Sequence, residues 1–154
     1  MSNKLISVND IKLINSICLF MDEPFQILDI NRIESALSNQ YQPYPNLELA
    51  FASTYKSLVI NHGFMNGNKR TAVIYLYIAS KMIGHEINIG DKDLADLTYR
   101  IAGVDGSHIS VEEIASIVYK NKKATKEYSE IDNIKELAKE YVNNHKWLME
   151  VLGA

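Results

Sequence analysis

The sequence predicts an all-α fold, a helical bundle, on three observations. Apolar residues recur at spacings of three and four along most of the chain, the period of one helix face. Ser or Asn precedes several of these runs, twice with an acidic residue three positions on, which marks a helix start. Strand-like alternation is weak everywhere except near Glu86 to Ile89 and in the proline-containing stretch 39–46, where an extended loop or a short β-hairpin fits.

Ser7 with Asp10 opens the first helix, and Val8, Ile11, Ile14, Ile17 and Cys18 form its apolar stripe. Pro24 is expected to stop it. Ile27 to Ser38 carries a shorter helix with Ile33, Ala36 and Leu37 on one face. Pro43 and Pro45 then exclude a helix, because two prolines so close cannot sit inside one. Asn46 caps a helix to Asn61, with Leu47, Ala50, Phe51, Thr54, Leu58 and Val59 inward. The run from Asn68 to Ile83 is apolar on nearly every side, the pattern of a central helix, and Gly84 is its C′ residue. Asp91 to Ile101 forms a further helix with Leu94, Leu97 and Ile101 inward, and Gly103-Val104-Asp105-Gly106 is a turn. Ser110 with Glu113 opens a helix to Tyr119. Residues 121–126 are charged and read as a linker. A final amphipathic helix follows, containing Ile131, Ile134, Leu137, Ala138, Tyr141, Leu148 and Leu152. The expected organisation is one domain over residues 1–120, with a linker and tail over 121–154 packed on it.

Composition narrows the function classes. The chain has 154 residues, enough for one ordinary domain. Its formal net charge of −3 argues against sequence-independent nucleic-acid binding, which relies on clustered Lys and Arg. A single cysteine, Cys18, rules out an intramolecular disulfide and reads as a small core residue. No stretch reaches the ~18 apolar residues of a membrane span, and the first residues do not resemble a secretory leader. The expected compartment is the cytoplasm, with no membrane and no nucleic acid among the partners.

The chemistry concentrates in His62-Gly63-Phe64-Met65-Asn66-Gly67-Asn68-Lys69-Arg70-Thr71, a polar loop between two apolar helices. The first N–H groups of a helix lack internal partners and carry partial positive charge, so the start at Asn68 suits phosphate. Lys69 and Arg70 would add full charges there, and Arg70 could hold two phosphate oxygens at once. His62 is placed to take a proton from a hydroxyl, and Phe64 would anchor the loop. A P-loop fails on spacing, since five residues after Gly63 comes Asn68. His62, His85, His108 and His145 are too scattered for a zinc motif, and the last three read as surface or capping residues. No G-x-S-x-G is present.

His62, Phe64, Gly67, Asn68, Lys69 and Arg70 with Thr71-Ala72 resemble the signature of the Fic/Doc family, H-x-F-x-[D/E]-[G/A]-N-[G/K]-R. Lys at the position of Lys69 is similar to the Doc (death-on-curing) branch. Ile27 to Leu37, ending Glu34-Ser35-Ala36-Leu37, resembles the segment before that branch's flap. The resemblance spans roughly residues 5–120. It implies a Fic-fold bundle, His62 as catalytic base, Gly67, Asn68, Lys69 and Arg70 as nucleotide and phosphate binders, and a flap at Tyr41, Gln42, Pro43 and Tyr44 that docks the target. It implies ATP as substrate, Mg²⁺ as cofactor, and a toxin that moves phosphate, or AMP, to a Ser/Thr hydroxyl of a protein, a translation elongation factor being the expected class. The self-inhibitory [S/T]-x-x-x-E-[G/N] is absent, so a separate antitoxin protein is expected. Asn66 stands where the family has the acidic metal ligand. The alternative is therefore a catalytically weakened Fic-fold module that binds nucleotide or a partner protein.

Overall fold

The computed structural model describes residues 5–103, 109–126 and 133–153. Helices dominate: α1 (Val8–Cys18), α2 (Ile30–Ser38), α3 (Leu47–Asn61), α4 (Asn68–Met82), α5 (Asp91–Ala102), α6 (Val111–Tyr119), α7 (Ile134–Asn144) and α8 (Lys146–Leu152). The expected all-α bundle is what the chain forms. His108, Ile131 and the turn beyond Gly103 lie outside the described residues.

Caps fix the helix starts. Ser7 and Asp10 bond reciprocally at the head of α1, and Asn46 accepts the Leu49 N–H at 2.9 Å. At α6 half of the expected box forms. Ser110 accepts the Glu113 N–H at 3.0 Å, while the Glu113 carboxylate faces Arg100 at 3.3 Å. The centre of the bundle is α4, in which only Asn68, Lys69, Tyr77 and Lys81 escape full burial. α3 packs along it, and α1, α7 and α8 cover its other sides. A helix held on all sides is a stiff mount for its own first turn.

Four expectations are corrected. Pro24 does not end α1. The helix stops at Cys18, and residues 20–23 form a turn closed by Glu23 N–H to Phe20 O (3.0 Å) and Phe20 N–H to Glu23 Oε1 (2.7 Å). α2 starts at Ile30 because Asp29 caps it through the Asn31 N–H, leaving Ile27 to pair antiparallel with Phe64. Residues 39–46 make no hairpin. They form a 3₁₀ turn (Asn39–Tyr41) and bends, tied to the bundle by Gln40 Nε2 to Ile6 O (2.9 Å), Asn39 Nδ2 to Ser57 Oγ (3.0 Å) and Tyr44 OH to Ser53 Oγ (2.8 Å). The small antiparallel pair lies at the edge of the other strand signal, that of Glu86 to Ile89: β1 (His85–Glu86) pairs with β2 (Lys123–Ala124), so the expected linker is a strand partner for the chain leaving α4.

The tail is two helices. Its break at His145 (φ −132, ψ 45) coincides with a ring held by the Asp91 carboxylate at 2.8 Å and stacked on Tyr141, 4.0 Å between centroids. His85 lies with Nδ1 2.8 Å from Glu48 Oε2, without hydrogen-bond alignment. His145 is therefore a cross-element tie, where the sequence suggests a surface or capping residue, while His85 stays partly exposed beside Glu48. Ile134, Leu137, Ala138, Tyr141, Leu148 and Leu152 are buried in the same core as the rest. Among the described residues no helix is long and apolar enough to cross a membrane.

Candidate functional site

His62 ends α3 in the left-handed region (φ 50, ψ 53), alone in this among the described non-glycine residues. That conformation costs an L residue about 1–2 kcal/mol and persists only where the surroundings impose it. Here the surroundings are the chain before α2. Leu28 N–H donates to Gly63 O (2.8 Å) and Met65 N–H to Gln26 O (2.9 Å). Gly63 lies so close to α2 that a β-carbon would collide with the Ile33 side chain. The turn can approach α2 only as glycine. The result is an exposed imidazole on a backbone fixed from both sides.

The residues after it close the loop. Phe64 is buried (2% exposed) with its ring 6.0 Å from Phe25, pinning the middle of the loop to the core. Asn68 folds its amide back on Phe64, accepting the N–H at 3.0 Å and donating to the carbonyl at 2.7 Å. Its side chain is thus a loop clasp and is not offered to a phosphate. Asn66 donates to Pro24 O at 3.3 Å. Its own carbonyl accepts from Asn15 Nδ2 at 2.8 Å, and the same nitrogen reaches Thr71 Oγ1 at 3.0 Å. Gly67 caps α4 at φ 77, without a side-chain cap.

The first intrahelical bond of α4 is Thr71 N–H to Gly67 O, 2.8 Å. The N–H groups of Asn68, Lys69 and Arg70 precede it, so they face out of the helix end. Lys69 holds its Nζ 5.3 Å from the centroid of Tyr99. Arg70 turns the other way. It is 1% exposed, bonds Cys18 O through Nη1 and Glu23 Oε2 through Nη2 (2.8 Å), and lies 4.0 Å over the Phe20 ring. The guanidinium read as a phosphate fork is therefore a latch onto the turn after α1. Its Nε, buried, has no partner.

His62, Asn66, Gly67, Asn68, Lys69 and Arg70 do line one cleft, of about 200 Å³. Tyr41, Gln42, Pro43 and Tyr44 are not among its walls. Tyr44 is tied to Ser53, nine residues and about 13 Å of helix rise before His62. The segment beside the loop is instead Gln26–Leu28. Three wall residues escaped the sequence reading: Glu23, Leu152 and Gly153. Glu23 had a signal, since an arginine in a helix apolar on every side needs a counter-charge. The tail residues had none.

Comparison with family models, curated proteins and solved structures finds no match for this chain.

Charge in the cleft follows from these contacts. The Arg70 hydrogen bond, helped by the Phe20 N–H and by the Arg70 charge, outweighs the upward push of partial burial and holds the Glu23 carboxyl below its ordinary value of 4.5. The pair is internally neutral, so Lys69 and the end of α4 leave the cleft attractive to anions. A depressed carboxyl contributes stability above its unfolded pKa and loses it as pH falls through the folded one. Stability should therefore drop progressively below pH 4.5, and Glu23→Gln should flatten that part of a stability–pH curve. Cys18 behaves oppositely: burial pushes its thiol up to about 11. It should resist alkylation at pH 8 until the protein unfolds, checked by mass spectrometry across a urea series.

Magnesium finds a poor donor set. Among the described residues no group of three His, Cys, Asp or Glu converges on one point. The cleft offers the neutral Asn66 amide and the Glu23 carboxylate, whose two oxygens are already engaged by Phe20 N–H and Arg70. These residues do not make a protein-held Mg²⁺ site, which usually takes one or two free carboxylates.

Proposed function

We propose that this chain is a Doc-like member of the Fic/Doc family, a cytoplasmic toxin that transfers the terminal phosphate of ATP to a Ser or Thr hydroxyl of a target protein. One observation carries the reading: an exposed imidazole locked at φ 50 shares a cleft with the uncapped start of α4 and the Lys69 ammonium. His62 takes the proton of the acceptor hydroxyl, whose oxygen bonds to phosphorus as the bond to the leaving ADP oxygen breaks. The α4 N–H groups and Lys69 stabilise the charge on the phosphoryl oxygens. A lysine where AMP-transferring relatives have glycine fills space beside the helix end and favours phosphate over AMP transfer. Mg²⁺ would have to be carried by the phosphates themselves. A translation elongation factor is the target class and a separate antitoxin the restraint, both on the resemblance.

The test incubates the protein with ATP labelled at the α or γ phosphate, Mg²⁺ and a cell extract. Label from γ that His62→Ala abolishes supports the kinase; label from α means AMP transfer. A second reading, a silent module that binds nucleotide or a partner, is favoured by neutral Asn66 and by the engagement of Asn68 and Arg70 inside the protein. It stands if neither label transfers and Asn66→Asp restores nothing.

A further inference from the structure

Each of the two cations in the motif rests on an aromatic ring from another element, and α8 with its C-cap Gly153 reaches both rings. The Phe20 ring beneath Arg70 abuts Gly153, where a β-carbon would lie 2.9 Å from Phe20 Cζ. The Tyr99 ring carries Lys69 at 5.3 Å, inside the ~6 Å at which an ammonium is attracted to a ring face. The Tyr99 hydroxyl donates to Val151 O of α8. Leu152 and Gly153 then form a wall of the cleft itself. The family resemblance, which ends near residue 120, gives the tail no part in the site.

We propose that α8 is a working part of the anion site, and that Tyr99 is the positioning residue through which it aims Lys69. This rests on the reading of the cleft as a polyphosphate site. An unrestrained lysine has many rotamers and is strongly hydrated, so fixing it on an arriving anion costs entropy. A ring beneath it removes part of that freedom beforehand, and preorganisation of this kind raises affinity. The hydroxyl bond to Val151 fixes the ring in turn. Tyr99 touches no substrate; it acts only through Lys69.

The experiment is calorimetric titration of the full chain with tripolyphosphate at low salt, for wild type, Tyr99→Phe, Tyr99→Leu, Lys69→Met and the Lys69→Met/Tyr99→Leu double variant, with thermal melts alongside. Lys69→Met should weaken binding about tenfold. Tyr99→Leu, which loses ring and tether, should weaken it about fivefold, and Tyr99→Phe, which keeps the ring but loses the bond to α8, about twofold. In the Lys69→Met background Tyr99→Leu should change nothing further, since the residue it positions is gone. An equal loss in both backgrounds would mean a general structural role and overturn the proposal. So would a Tyr99→Phe protein that binds like wild type. A wild-type chain that binds no tripolyphosphate overturns the anion-site reading as well, and that result is read before any variant is compared.

Discussion

Arg70→Met is expected to lower the unfolding free energy by about 3–5 kcal/mol, the range for breaking a buried ion pair from one side. The guanidinium is 1% exposed and does three things at once. It satisfies Cys18 O, the carbonyl with which α1 ends; it neutralises Glu23; and it packs on Phe20. Methionine keeps much of the volume but none of the donors, so Cys18 O is left buried and unpaired. Glu23, at 17% side-chain exposure, can partly rehydrate, which places the cost toward the lower end of the range. Glu23→Gln should cost less than Arg70→Met, because glutamine can still accept from Nη2. Urea unfolding of both variants and of the double variant checks this. A loss below about 1 kcal/mol for Arg70→Met, the size of a surface pair, would mean that the latch is not closed in solution. Arg70 would then be free for the phosphate role that the motif suggests.

The bundle was legible because its signals are local. The Ser7 and Asn46 caps and the all-round apolar character of α4 are written in consecutive residues, and tertiary packing had only to agree with them. That His62, Gly67 and Lys69 line one cleft was legible too, since they stand close together in one polar loop between two helices. The direction in which each side chain points was not, because a partner far along the chain decides it. The Asn68 amide has the same donor and acceptor geometry whether it meets a phosphate or the peptide of Phe64. Lys69 and Arg70 could have been separated by geometry alone. Adjacent helical residues point about 100° apart, so once one faces the cleft at the start of a buried helix, the other tends to face the bundle. The absence of residues 41–44 from the cleft walls has a similar cause. Prolines mark where a helix cannot run, but the pairing of Gln26–Leu28 with the loop depends on Gly63 fitting against Ile33, a contact 30 residues apart in the chain. The break at His145 required Asp91, from a helix that the tail meets only after folding.

His62→Gly should abolish transfer while making the protein more stable, a pair of opposite effects that few positions would give. On the proposed mechanism, loss of the general base removes about 10²–10⁴-fold in rate. The stability gain comes from the backbone: histidine at φ 50 carries about 1–2 kcal/mol of strain that glycine lacks. The greater freedom of glycine in the unfolded chain offsets part of it, leaving a gain of about 0.5–1 kcal/mol. His62→Ala keeps the strain and loses the ring, so it should be as inactive as His62→Gly yet close to wild type in stability. Transfer of labelled phosphate together with urea midpoints for the three proteins decides the matter. If His62→Gly is less stable than wild type, the ring contributes packing that outweighs the strain, and the residue at the end of α3 is held there for structure. If it is more stable but still transfers phosphate, the base lies elsewhere in the cleft. Only stability gained with activity lost fits a residue kept in a costly conformation for its chemistry.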